Sequence, residues 1–89
     1  MGAKRLTIMG RVQGVGYRAW MVRTAVRLGV SGWVRNRPDG AVEALVHGDP
    51  AAVEELLRAC RLGPRLAEVA SITEEFAEPE AEPGFRAVP

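Results

Sequence analysis

The stretch Arg-Pro-Asp-Gly at 37–40 is the feature that most restricts how this 89-residue chain can fold. Proline holds φ near about −65°, and the Asp-Gly pair that follows favours a tight turn with a left-handed glycine. Residues 30–36 and 41–48 on either side have strand character, so the stretch predicts a β-hairpin. A mid-chain hairpin joins antiparallel strands and is incompatible with a sheet built only from parallel β-α-β crossovers.

The segment before the hairpin predicts a strand followed by a helix. Residues 4–12 alternate between apolar and polar side chains, which is typical of a half-buried strand. Residues 18–29 change to helical spacing, and Gly29 supplies the C-terminal stop. The apolar stripe of this predicted helix consists of Met21, Val22, Ala25 and Leu28.

Residues 49–63 give the clearest helical pattern in the chain. Asp49 suits the N-cap position, Pro50 suits the first helical position, and Gly63 suits the end. Apolar residues recur three or four positions apart in this segment, so they lie on one side of the helix. We expect that side to face the core. The stripe consists of Val53, Leu56, Leu57 and Cys60.

The last part of the chain predicts a fourth strand over 66–76 and a short final strand over 85–88, with an acidic, proline-containing link between them. The order is then β-α-β-β-α-β. This order specifies an α+β fold of the ferredoxin-like, split β-α-β type, with one mostly antiparallel sheet and two helices on one face. We expect one domain over 1–89, because neither half alone could build a core.

Composition argues against several classes of partner. A net charge of +1 provides no field to attract nucleic acid or an anionic membrane. Residues 1–10 lack the apolar region of a secretory signal, and no apolar run reaches the length of a membrane span. Cys60 is the only cysteine, which excludes an internal disulfide and favours a reducing compartment. We therefore expect a cytoplasmic monomer that binds neither nucleic acid nor membrane.

The stretch Gly-Arg-Val-Gln-Gly-Val-Gly-Tyr-Arg at 10–18 connects the first strand to the first helix and allows three interpretations. The simplest is a turn that glycine makes possible. The second is a dinucleotide-binding fingerprint, because Gly14 to Ala19 match G-x-G-x-x-A and Asp39 follows about twenty residues later. Asp39 belongs to the hairpin, however, and the chain turns straight back there, so we reject the dinucleotide site.

The third interpretation is a phosphate cradle. Successive backbone N–H groups in a glycine loop can converge on an anion, and the next helix points its positive end at the same place. Arg18 opens that helix, and its planar guanidinium can bind two phosphate oxygens at once. The Lys-Ser/Thr pair of a nucleotide loop is missing, so the pattern does not predict a magnesium nucleotide site.

Side-chain amides are nearly absent from the chain: Gln13 in the glycine loop and Asn36 before the hairpin are the only two. A carboxamide can both donate to and accept from a water molecule without repelling a phosphate. Asn is also common before tight turns because its side chain bonds nearby backbone, so a structural role for Asn36 stays open.

Residues 10–18 and 32–48 together resemble the two signature stretches of the acylphosphatases, small enzymes that hydrolyse carboxyl-phosphate anhydrides. The resemblance extends over nearly the whole chain. It implies an acyl phosphate as substrate, inorganic phosphate or sulfate as a product-like ligand, and no cofactor. It also implies that Asn36 positions the attacking water and that Arg18 binds the phosphoryl group. The backbone amides that share this binding are those of Gly14, Val15, Gly16, Tyr17 and Arg18.

An alternative function, a metal site and an RNA-binding surface are the other interpretations of the sequence. The acylphosphatase-like domain of larger hydrogenase-maturation proteins offers the alternative function, a non-catalytic module that binds phosphate or carbamoyl phosphate. Cys60 lies on the apolar stripe of its helix and His47 has no partner at ligand spacing, so we expect no metal site. Trp20 and Trp33 could stack on RNA bases, but the basic aromatic strand motif of RNA-binding modules is absent.

Overall fold

A computed structural model describes residues 2–89 and shows one five-stranded sheet and two helices. Each element lies within two residues of the bounds expected from the sequence. In chain order they are β1 (Ala3–Arg11), α1 (Tyr17–Leu28), β2 (Ser31–Asn36), β3 (Val42–His47), α2 (Pro50–Leu62), β4 (Glu68–Ala77) and β5 (Phe85–Ala87).

The strand order across the sheet is β4-β1-β3-β2-β5. β1 pairs antiparallel with β3 and β4, and β2 pairs antiparallel with β3, while the short β5 is parallel to β2. The predicted α+β fold with a mostly antiparallel sheet is therefore confirmed. Residues 37–40 form the expected turn between β2 and β3, where the Arg37 amide donates to the Ala41 carbonyl at 2.8 Å.

The core lies between the two helices and one face of the sheet. Met21 and Ala25 of α1 are fully buried there, as the apolar stripe predicted. Leu56 and Cys60 of α2 are equally buried, and each large apolar side chain removed from water contributes roughly 1.5–3 kcal/mol. The sheet contributes Leu6, Ile8, Val34, Val42, Ala44 and Val46.

The register of the sheet decides which loops meet. Val42 on β3 lies opposite Ile8 of β1 on one side and opposite Asn36 of β2 on the other. Because β1 and β2 are both antiparallel to β3, they run in the same direction and end at the same edge of the sheet. The loop after β1 and the turn after β2 are consequently neighbours. Of the helices within residues 2–89, none combines the length and apolarity needed to cross a bilayer.

Candidate active site

The loop between β1 and α1 depends on two glycines. Gly14 has φ of 74° and Gly16 has φ of 79°, both in the left-handed region that side chains with a Cβ rarely adopt. A Cβ built at either position meets no atom within 4 Å. Glycine is therefore required here by backbone conformation, and the space around the loop is left open.

No side chain of residues 2–89 caps the N-terminus of α1. Gly16 occupies the N-cap position without a side chain, and the first turn of α1 contains no acidic residue. The first N–H groups of a helix have no partner within the helix, and the aligned peptide dipoles make this end positive. The loop and helix thus present unsatisfied donors and positive potential at one place, which favours an anion there.

Arg18 lies exposed in the first turn of α1. Within residues 2–89, its guanidinium makes neither an ion pair nor a hydrogen bond to a carboxylate. A cation near the positive end of a helix is unfavourable unless an anion lies nearby. The position of Arg18 therefore fits a group that meets an anionic ligand.

Tyr17 contributes more than the backbone amide expected of it, because its ring lies in the core. The side chain is fully buried, and its hydroxyl donates to the Cys60 carbonyl of α2 at 2.6 Å. A Cβ at Gly63 would come within 2.8 Å of the ring, so the end of α2 closes tightly over it. Burial raises the pKa of Tyr17 far above its usual value, which keeps the hydroxyl protonated as a donor. The end of the loop is in this way attached to α2.

Asn36 is the last residue of β2 and is half-buried. Its carboxamide makes no hydrogen bond to any other group of residues 2–89. The turn that follows is held by Asp39, whose carboxylate accepts from the Ala41 amide at 3.1 Å and pairs with Arg37 at 2.8 Å. Those bonds hold the pKa of Asp39 below its usual value. Asp39 therefore supports the hairpin, in agreement with rejection of the dinucleotide site.

One small cavity brings most of the expected site residues together. Its volume is about 180 Å³, below the roughly 300–1,000 Å³ of pockets that take drug-sized ligands. Both side-chain amides of the chain, Gln13 and Asn36, line it. Val15 does not line it, because its side chain packs against the core. The lining residues are Val12, Gln13, Gly14, Gly16, Tyr17, Arg18, Ala19 and Asn36.

A larger cavity of about 420 Å³ lies on the face of the sheet without helices, but its charges are already paired. The Arg35 guanidinium contacts the buried Glu43 at 2.7 Å and also lies over the Trp33 ring, 5.7 Å from its centre. Arg86 pairs with Glu80 at 3.3 Å. No free cation is left there for an anionic substrate among the described residues that line it.

The remaining reactive side chains lie apart from the small cavity. Burial raises the pKa of Cys60 to about 11, so its sulfur is a thiol rather than a nucleophilic thiolate at neutral pH. His47 lies on β3 inside the sheet, and its Nε2 is buried without a hydrogen-bond partner in residues 2–89. Across the same residues, no group of three or more His, Cys, Asp or Glu side chains could hold a metal ion.

Comparisons with known proteins agree with one another. The acylphosphatase family model matches residues 4–87. The acylphosphatase of Acidiphilium cryptum is 68% identical over 85 residues, which cover 96% of this chain and 93% of that protein. The crystal structure of acylphosphatase from Bacillus subtilis has a TM-score of 0.94 to this chain at 34% identity, covering 99% of each.

The fold also occurs inside a larger protein. The crystal structure of T. kodakarensis HypF has a TM-score of 0.88 at 26% identity, and the match covers all of this chain but 12% of that one. The acylphosphatases, by contrast, are matched over nearly their whole length. The family match over residues 4–87 and the identity to curated relatives show that this chain belongs to the acylphosphatase family of hydrolases.

Proposed function

We propose that the protein hydrolyses the carboxyl-phosphate bond of acyl phosphates to a carboxylate and inorganic phosphate, without a metal ion. The observation that carries the proposal is the small cavity, where three groups meet that have no partner among residues 2–89: the N-terminus of α1, the Arg18 guanidinium and the Asn36 carboxamide. The reaction needs charge neutralised on the phosphoryl oxygens and a water molecule held in line with phosphorus.

Binding of the phosphoryl group is assigned to the loop between β1 and α1 and to Arg18. The phosphoryl oxygens accept hydrogen bonds from the amides of residues 14–18, whose donors lie at the uncapped end of α1. Arg18 donates two parallel bonds from its guanidinium, the arrangement that a planar fork makes possible. These donors act most strongly on the charge that develops in the transition state.

Asn36 is assigned the role of positioning the attacking water molecule. Its carboxamide can accept a hydrogen bond from the water and donate to it, and its neutrality avoids repulsion by the phosphate. The oxygen of the water forms the new bond to phosphorus as the bond from phosphorus to the carboxyl oxygen breaks. The electron pair of that bond leaves with the carboxylate, and the proton of the water passes to the phosphate. A carboxylate is a good leaving group, so the step does not require a protein acid.

The alternative from the sequence is a non-catalytic module that binds phosphate or carbamoyl phosphate, and the occurrence of the same fold as one part of the larger HypF keeps it in view. We prefer the enzyme, because the match to the Acidiphilium cryptum acylphosphatase covers 93% of that protein and the match to HypF covers 12%. Incubation of the purified protein with acetyl phosphate or benzoyl phosphate separates the two. Release of phosphate, also in the presence of a chelator, is expected of the enzyme and not of the module.

The role of Asn36 is tested by Asn36→Ala. If Asn36 holds the water, kcat is expected to fall by about two orders of magnitude or more, because a positioned contact to the reacting atoms is lost. Inhibition by phosphate and thermal stability are expected to change little, since the loop is intact. If Asn36 only supported the turn, stability would fall by roughly 1 kcal/mol and kcat would stay near the wild-type value. Measuring kcat, phosphate inhibition and Tm on one preparation distinguishes these outcomes.

We further propose that the protein acts as a monomer in the cytoplasm. Arg18 and Asn36, to which the proposal assigns the reaction, line the same cavity within one chain, so the proposed chemistry does not call on a residue from a partner. Cys60, the only cysteine, is a buried thiol, which suits a reducing compartment. Light scattering of the purified protein checks the monomer, and a dimer whose cavity is closed at the interface contradicts it.

A further inference from the structure

Gln13 joins the loop after β1 to the turn after β2. Its Nε2 donates to the Arg37 carbonyl at 2.8 Å and to the Ala41 carbonyl at 3.0 Å. Arg37 and Ala41 are the residues that close the hairpin, where the Arg37 amide donates to the Ala41 carbonyl. One side chain of the loop thus holds both ends of the turn.

These two bonds use the full donor capacity of the Gln13 amide. A carboxamide nitrogen carries two N–H groups, and each of them is directed at a carbonyl. Both carbonyls also accept a bond within the turn, from the Gly40 amide at 3.2 Å and from the Arg37 amide at 2.8 Å. The Gln13 nitrogen is therefore not available to bind a phosphate, although the residue lines the cavity.

We propose that Gln13 is a positioning residue that sets the distance between the phosphate-binding loop and Asn36. This inference rests on the proposed function, in which the loop holds phosphorus and Asn36 holds the water. Gln13 directly precedes Gly14, the first residue of the proposed phosphate-binding amides, and Arg37 directly follows Asn36. The hydrogen bond from Gln13 to the Arg37 carbonyl therefore links the loop to the turn at positions adjacent to both proposed functional groups. An in-line attack is sensitive to such a distance, because a displacement of about 1 Å can reduce the rate about 100-fold.

The loop has a second attachment that does not depend on Gln13. At its other end, the Tyr17 hydroxyl is bonded to the Cys60 carbonyl within the core. Loss of the Gln13 bonds is therefore expected to leave the anion-binding amides near Tyr17 in place while the turn with Asn36 shifts against them. The consequence is a selective fall in kcat, with phosphate binding retained.

The first test is Gln13→Met, which keeps a similar length and removes both donors. We expect kcat to fall about 10- to 100-fold, as for other groups that orient a catalytic contact. The phosphate inhibition constant and the rise in Tm caused by phosphate are expected to stay close to wild type. Gln13→Asn, which is one CH₂ shorter and cannot reach both carbonyls, is expected to give a smaller loss of kcat with the same phosphate binding.

Asp39→Ala is the matched control, because Asp39 also bonds Arg37 and Ala41 but does not reach the loop. It is expected to lower Tm and to leave kcat near the wild-type value. Equal kcat losses in Asp39→Ala and Gln13→Met would show that only turn stability matters, and this would overturn the proposal. A wild-type kcat in folded Gln13→Met, or a parallel loss of phosphate binding, would overturn it as well.

A double-mutant cycle tests whether Gln13 acts through Asn36. In the Asn36→Ala background, Gln13→Met is expected to reduce kcat no further, because the group that it positions is already gone. Losses that multiply in the double variant would contradict the inference. Failure of the proposed function gives a different result, since the wild-type protein would then release no phosphate or Asn36→Ala would keep full kcat.

Discussion

The two helices begin in opposite ways, although each follows a strand of the same sheet. At α2, the Asp49 carboxylate caps the helix by accepting from the Ala52 amide at 3.3 Å, and Pro50 fills the first position. At α1, Gly16 leaves the N-terminus without a side-chain cap. The positive end of α2 is thus neutralised by the chain itself, and the positive end of α1 is left open for a ligand.

The first turns differ in charge as well. In the first turn of α2, Pro50 is followed by two uncharged alanines, whereas the first turn of α1 carries Arg18. A cation at that end of a helix opposes the helix dipole, and glycine at the N-cap costs roughly a few tenths of a kcal/mol compared with a good cap. The helix α1 is therefore less stable at the end where the proposed substrate binds, while α2 begins as a purely structural helix does.

The largest effect is expected from Arg18→Ala. Removal of the guanidinium should lower kcat by about three orders of magnitude or more, as for arginines that stabilise a phosphoryl group in transfer. The rise in Tm with added phosphate should largely disappear, because less anion binds to the folded state. Without phosphate, Tm should not fall, since the variant removes a cation from the positive end of α1.

Arg18→Lys is the companion variant and should restore little of the activity, because a point charge cannot reproduce two parallel bonds. Thermal melts with and without phosphate, together with kcat, check both variants. A phosphate-dependent shift that persists in Arg18→Ala would place the anion elsewhere.

Gly16→Asp would place a carboxylate at the start of α1, as Asp49 does at the start of α2, and the next largest effect is expected from it. The carboxylate would compete with phosphate for the same donors and repel it, so activity should fall about 100-fold. Gly16→Asn is the matched control, because it has the same shape without the charge and both residues tolerate a left-handed backbone. A Cβ at this position has open space around it. Equal losses in the two variants would show that backbone strain, not charge, is responsible.

Asp49→Ala should have the smallest effect. Loss of the cap on α2 is expected to lower stability by about 1 kcal/mol and to leave kcat unchanged. It should not create a second phosphate site, because α2 has no glycine loop or arginine at its start. Denaturant unfolding and phosphate titration check this prediction. A second anion site in the variant would mean that an open helix end alone is sufficient.

Element order was predictable from the sequence because its signals are local. The local signals are the alternation over β1, the cap and first proline of α2, and the turn residues 37–40, and each depends on neighbours within a few positions. The order of elements then leaves few topologies, and the resemblance of two motifs to the acylphosphatases indicated Arg18 and Asn36 as the candidates. The scarcity of amides also drew attention to Gln13, but no local pattern could show what it bonds.

Tertiary structure alone decided how these residues are arranged. The Gln13 amide bonds carbonyls 24 and 28 positions away, and the Tyr17 hydroxyl bonds a carbonyl 43 positions away. Such contacts depend on the register of β1, β3 and β2 and on the packing of α1 against α2, which no single segment encodes. The missing side-chain cap at the N-terminus of α1 could be predicted from the sequence, because a cap depends only on the N-cap residue and the few residues after it. The position of that N-terminus beside Asn36 required the folded sheet, because β3 pairs with both β1 and β2 and so brings their ends to the same edge.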